Sequence, residues 1–205
     1  MVPFQKEALA KAKTKLADLL ARMRVDPDPD YHDIVSHKDV VLARYGPKFQ
    51  PDRILSLPKK EFHSFLLIEN NHHWDSLHRV GPQITKDYNL LLETLAYLVD
   101  ESRPVHKRLS YIRPYFSGPE GAVIPFLGIP TLTAVLLVAY PQKYGVWNST
   151  SMDGMRQVGL WDDRWEKSAT GLSYTYINNI YHDLTDALGI DLWTLDALWW
   201  VVKKE

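Results

Sequence analysis

The chain contains no cysteine. Disulfide bonds and thiolate chemistry are therefore excluded, and life in the reducing cytoplasm is the simplest expectation. Long apolar runs are also missing. The longest, "AVLLVAY" at Ala134–Tyr140, falls far short of the roughly 20 residues that a membrane-spanning helix needs. The opening stretch "MVPFQKEALAKAKTKLADLLARMR" carries charges along its whole length, so no signal peptide is expected. The triplet Asn148-Ser149-Thr150 has the form of a glycosylation site, which means little in a chain without signs of secretion. No useful period-2 strand pattern and no internal repeat occurs, which leaves an all-α reading.

What is present suits an ordinary soluble globular protein. The 205 residues are 45% hydrophobic and 24% charged, enough for one good-sized core or two small lobes sharing one. Aromatic residues reach 12%, with seven Trp. Some of these rings could stack on a ligand, although core packing is the commoner use. The net charge of −1 conceals an uneven distribution. Residues 1–25 hold six basic and two acidic groups (+4), residues 103–147 five and one (+4), and residues 151–205 five and nine (−4). Local basic surface of this kind permits a polyanion without requiring one, since solvated helix faces look the same.

Helical periodicity organises the chain. Phe4, Ala8, Leu9, Ala12, Leu16, Leu19, Leu20 and Met23 recur at helical spacing, which predicts a basic amphipathic helix over 4–24. The proline-broken "DPDPD" ends it. Further helices are predicted at 36–45, after Ser56 as cap with Pro58 in the first turn, and at 83–101, 103–113, 172–189 and 192–203. Between 121 and 140 the pattern reads helix, tight turn at "LGIP", helix. One all-α domain over 1–205 is expected, with an N-terminal helix and linker (1–30), a helical lobe (31–120) and a hairpin-containing lobe (121–205), the two lobes flanking a cleft.

The segment "IPFLGIPTLTAVLLVAYPQKYGVWNSTSMDGMRQVGL" is the most informative. Gly128 would supply the turn, Pro130 a pre-set helical φ, and Thr131 a start for the next helix. Main-chain N–H groups at such a start can hold a phosphate whatever the base sequence. Leu127-Gly128-Ile129 and Thr133-Ala134 resemble the hairpin of the helix-hairpin-helix DNA glycosylase superfamily, and Val158-Gly159-Leu160 resemble the end of the helix that follows its catalytic Asp. Counting back from Gly159 by that family's spacing places Asn148 at the carboxylate position, followed by Ser149.

The resemblance implies a protein that grips double-stranded DNA through Gly128, Thr131 and Thr133, with help from Arg79 and Lys143, and extrudes a nucleotide. It implies no cofactor. Three departures qualify it. Pro130 stands at the second hairpin glycine, Leu132 where lyase-type members carry lysine, and Asn148 where they carry the acid. A monofunctional glycosylase acting on a damaged or modified base is the implied activity, and the Asn and His residues at 70–73 would suit a bulky base such as those of phage DNA. A non-catalytic reader of such bases is the alternative. A helical module with no DNA role, docking through its basic first helix, is a third class. Without the resemblance, Asn148 is simply a cap for the helix beginning near Ser151.

A glycosylase lacking that Asp needs another carboxylate. The densest polar cluster is "ENNHHWDSLHR", Glu69–Arg79. Asn70, Asn71, His72 and His73 could hydrogen-bond a base edge and Trp74 could stack on one. Glu69 or Asp75 could supply the missing negative charge; Glu69 is the expected buried reacting acid, and Asp75 is the better cap. No metal is expected, because His72, His73 and His78 lack the i, i+4 spacing that puts two ligands on one helical face. Tyr144 and Trp147 would rim the nucleotide pocket, or else pack in the core. Asp196, an interior acid of the last helix, ranks below Glu69 as a supporting group.

Overall fold

The structure, a computed structural model of the chain, describes residues 3–112, 124, 126–168 and 171–205. Among them there is no strand, and ten helices have eight or more residues: α1 (Pro3–Val25), α2 (Pro29–Ser36), α3 (Lys38–Tyr45), α4 (Lys59–Leu66), α5 (Tyr88–Val99), α6 (Val105–Ile112), α7 (Ile129–Ala139), α8 (Ser149–Gln157), α9 (Gly171–Leu188) and α10 (Leu192–Lys204). Shorter helical turns connect them. The fold is an all-α bundle.

Two helices form its axis. Every residue of α7 from Thr131 to Ala139 is buried, as expected of a helix that is apolar all round. It packs on α3, α5 and the 3₁₀ turn Gly46–Phe49. In α10, Trp193, Trp199, Leu195, Leu198 and Val202 are buried, and the helix packs against α8, α2 and α9. Around these lies amphipathic α1, whose Leu9, Ala12, Leu16, Leu19 and Leu20 face inward as their spacing predicts. It meets α9, which also packs on α6. One contiguous core runs from Leu9 to Val202 and draws on both expected lobes.

Several boundaries differ from the sequence reading. The short helix read over 36–45 is α3, and a further helix, α2, precedes it, its start capped by Asp28, which accepts from the Asp30 and Tyr31 N–H groups, with Pro29 in the first turn. Ser56 does not cap α4. Its hydroxyl donates to Arg53 O, and the helix opens at Lys59 behind Pro58. The predicted 83–101 helix is divided: Gly81–Ile84 is a separate turn, and α5 opens at Tyr88 with Asp87 as its cap.

At the hairpin, Gly128 caps α7 from extended backbone (φ −94°), and it is Phe126 that turns left-handed (φ 67°). Its left-handed backbone, not glycine freedom at Gly128, bends this chain. The first hairpin helix expected after 121 falls mostly outside the described residues, as does Arg113.

Candidate functional site: the Asn148 cap and the adjoining aromatic cavity

The connection from α7 to α8 is fastened at nearly every backbone group. Asn178 of α9 accepts from Gly145 N–H at 2.8 Å and donates to Lys143 O at 2.8 Å. Tyr174 donates to Gly145 O and Tyr181 to Val146 O. Trp147 N–H donates to Thr133 Oγ1 at 3.0 Å. Three long polar side chains of α9 thus satisfy a buried strap whose main chain would otherwise be costly to desolvate.

That strap corrects part of the expected pocket rim. Trp147 and Tyr144 are buried. The Tyr144 hydroxyl donates to Glu101 Oε1 and accepts from Arg108, both at 2.6 Å, and burial with this carboxylate bond pushes its pKa up to about 12. Arg108 is itself almost fully enclosed, and Lys143, though exposed, pairs with Glu101. Arg103 pairs with Asp100. Asp100 and Glu101, just before this segment, therefore offset part of the basic charge of residues 103–147. Thr131 and Thr133 are also interior: the Thr133 hydroxyl donates to Ile129 O and accepts from Trp147. Of the expected backbone-gripping side chains, Arg79 is exposed beside Asp75 at 3.8 Å, and Lys143 is exposed on Glu101. The start of α7 at Gly128–Pro130 remains at the surface and has no side-chain cap.

Asn148, half-buried, begins α8. Its Oδ1 accepts from Ser151 N–H at 2.8 Å, and Ser151 Oγ accepts from Asn148 N–H at 3.0 Å, a reciprocal capping box. The helix starts at Ser149, which is exposed, two residues earlier than expected. It closes at Gly159, left-handed at φ 74°, where Leu160 N–H reaches back to Met155 O at 2.8 Å. Gly154 lets α8 sit directly on α10, since a Cβ there would lie 2.6 Å from the Trp199 ring.

Past Gly159 the chain lines a cavity of about 680 Å³, walled by Trp161, Trp165 and Tyr176, with Asn179, Asp183 and Leu9. Trp161 meets Trp165 edge-on at 5.5 Å and Trp147 at 6.0 Å, which joins the cavity to the strap. Asp162, Asp163 and Arg164 complete the polar rim, and Arg164 holds Asp162 at 2.6 Å. That pairing depresses the Asp162 carboxyl, through the hydrogen bond first. Nothing in the sequence pattern singled this cavity out, because α1, α9 and the 159–165 segment meet only in three dimensions.

The "NNHHW" cluster is not one open surface. Asn71 is fully buried: its Oδ1 accepts from the His73 and Trp74 N–H groups and its amide donates to Phe65 O. Trp74 is buried too, packed on Phe65, His73 and Trp193, with its indole N–H donating to Asp196 Oδ2 at 3.1 Å. His73 Nε2 lies 3.0 Å from the same oxygen, but its N–H axis is misaligned, so the contact is electrostatic more than a directed hydrogen bond. The buried acid of this region is Asp196. Glu69, expected to be buried, is exposed, and the reason is local: it lies in the solvent-facing turn Ile68–Asn71. Asp75 is exposed beside His78 and Arg79, and it follows the cap position, which Trp74 occupies. Asn70 accepts from Arg44 at 2.8 Å. His72 turns away from His73 and His78 and stacks flat on His37 at 3.7 Å, its own backbone left-handed at φ 53°.

Compared with protein-family models, with curated proteins and with solved structures, the chain gives no match in any of the three.

Proposed function

We propose that the protein binds double-stranded DNA as a reader of a damaged or modified base drawn out of the duplex. The observation that carries this reading is the Asn148 cap. The segment keeps the hairpin pattern before α7 and the Val158-Gly159-Leu160 ending after α8, while the position of the family's acid holds an amide already committed to Ser151. An amide cannot carry the charge that offsets an oxocarbenium-like sugar, so base release loses its central group there.

Two further features support the reading. The uncapped start of α7 offers the Ile129 main-chain N–H group at the positive end of an eleven-residue helix, which suits a phosphate and ignores sequence. The cavity of about 680 Å³ lies within the usual range for small-molecule sites and could take a single base between its aromatic walls. Its acidic rim disfavours phosphate and favours a base carrying amino, hydroxyl or sugar substituents. Extrusion is least costly for such abnormal bases.

Base excision remains the second reading, because Asp183 lines the same aromatic cavity and offers a carboxylate where Glu69 does not. One experiment separates them. Duplexes carrying different modified bases are incubated with the protein, binding is measured by fluorescence anisotropy, and the strands are then treated with alkali. Tight binding to one duplex without alkali-labile sites is the reader. Strand scission that disappears in Asp183→Asn is the glycosylase. No affinity for any duplex at low salt, where phosphate contacts are strongest, would dismiss both.

A further inference from the structure

We infer that Asp33, His37 and His72 form a binding site for a divalent transition metal ion of the zinc class. Asp33 and His37 stand four residues apart, at the end of α2 and its C-cap, so both side chains leave the same helical face. His72 comes from the distant Ile68–Asn71 turn, and its left-handed backbone swings the imidazole back over His37. His37 Nδ1 lies 3.2 Å from one Asp33 carboxylate oxygen, and His72 Nδ1 lies 3.3 Å from the other. One donor atom from each of the three residues falls within 4.8 Å of the other two.

Those separations are compatible with a shared metal ion. Zinc bonded to imidazole nitrogen and carboxylate oxygen at about 2.0–2.1 Å in a tetrahedron sets its donors roughly 3.3 Å apart. The His37 and His72 contacts to Asp33 have about that length, one on each carboxylate oxygen. A three-donor set with one Asp33 oxygen forms when the carboxylate turns and the stacked rings splay, since parallel imidazoles cannot both aim a lone pair at one ion. The motion is small for side chains that are partly exposed, His37 by 37% and His72 by 26%. His37 Nδ1 lies 2.8 Å from the Asp33 main-chain oxygen and His72 Nδ1 3.3 Å from the Asp33 carboxylate; on binding, the ion takes the place of these contacts, and water or Ser36, whose Oγ lies 3.4 Å from His37 Nδ1, completes the shell. Two imidazoles with one carboxylate suit zinc, cobalt and nickel far better than magnesium or calcium.

The site differs from the arrangement weighed on spacing alone. His73 is enclosed against Asp196 and His78 stands on Asp75, so only His72 of that cluster is available. His37, 35 positions earlier in the chain, takes the place of both.

The test uses the full chain without an affinity tag. Co²⁺ is titrated while visible absorption is recorded, and Zn²⁺ is then added in competition. The proposal expects one saturable equivalent with ligand-field bands that Zn²⁺ abolishes, weakened at least about tenfold in His72→Gln and in Asp33→Asn. His78→Gln, an exposed histidine outside the cluster, leaves binding unchanged. Imidazole ¹⁵N spectra with Zn²⁺ move only the His37 and His72 resonances, which reads the site without any variant. Absence of a saturable band, equal weakening in His78→Gln, or Zn²⁺ shifts spread over all histidines would overturn it.

Discussion

Asn148 and Ser151 hold each other across the first turn of α8, the amide oxygen accepting at 2.8 Å and the hydroxyl oxygen accepting in return at 3.0 Å. This relationship makes the residue at the expected carboxylate position a structural cap. It satisfies a helix-start N–H group that would otherwise be unpaired.

Asn148→Asp should therefore fold normally, within about 0.5 kcal/mol of the parent, because Asp caps as well as Asn and the helix dipole favours it. Asn148→Ala should lose about 1 kcal/mol. Urea denaturation of the two variants checks this. If the alanine variant is as stable as the parent, the cap does not have the weight given to it here.

Glu69 and Asp196 make a contrasting pair. Asp196 is buried under the Trp74 indole N–H and the His73 ring, whereas Glu69 is exposed. Asp196→Ala should cost about 3 kcal/mol or more by leaving the buried Trp74 indole N–H without an acceptor and opening a gap beside the His73 ring. Asp196→Asn, which keeps an oxygen for Trp74, should cost less, and Glu69→Gln should fall within about 0.5 kcal/mol of zero. Thermal melts that rank these variants in another order would contradict the assignment.

The contact between α8 and α10 gives a third expectation. A Cβ at Gly154 would lie 2.6 Å from Trp199 Cε3, on a ring that is itself fully buried and cannot swing aside. Gly154→Ala should destabilise by about 1–3 kcal/mol despite alanine's better helix propensity. A neutral or stabilising result, read by denaturant midpoint, would show that the two helices part easily.

Acid should loosen the strap before α8. Burial pushes the Glu101 carboxyl up, but hydrogen bonds from Lys143 and Tyr144 and the charges of Arg108 and Lys143 outweigh it, so the group sits below its ordinary value of 4.5. A folded-state value lower than the unfolded one contributes stability that is complete above 4.5 and is lost as the pH falls through the folded value. Asp191, also lowered once the Lys38 pairing outweighs its burial, acts in the same direction. The stability difference between the parent and Glu101→Gln should thus be full at neutral pH and shrink below about pH 4. A gap that stays constant to lower pH would remove Glu101 from the acid response.

Much of the fold was legible because its signals are local. The apolar face of α1, the Asp191 cap of α10, the Gly159 close of α8 and the capping role of Asn148 all follow from residues within one or two turns of each other. The site was far less legible. Trp74 and His73 look free in sequence, and only Asp196, more than a hundred positions later, explains their burial. The cavity needs α1 and α9 to come together, and the His37–His72 stack needs two turns with no shared pattern. Polar and aromatic residues advertise chemistry equally well when they are binding one another.

The central claim, recognition of an extruded base without its release, is tested most directly with 2-aminopurine placed beside a modified base in a duplex. Binding should raise the 2-aminopurine fluorescence as the neighbouring base leaves the stack, Trp165→Ala should abolish this rise while weak binding to unmodified duplex persists, and alkali should reveal no abasic site. Binding with no fluorescence change on any modified duplex, or abasic sites accumulating with time, would contradict it.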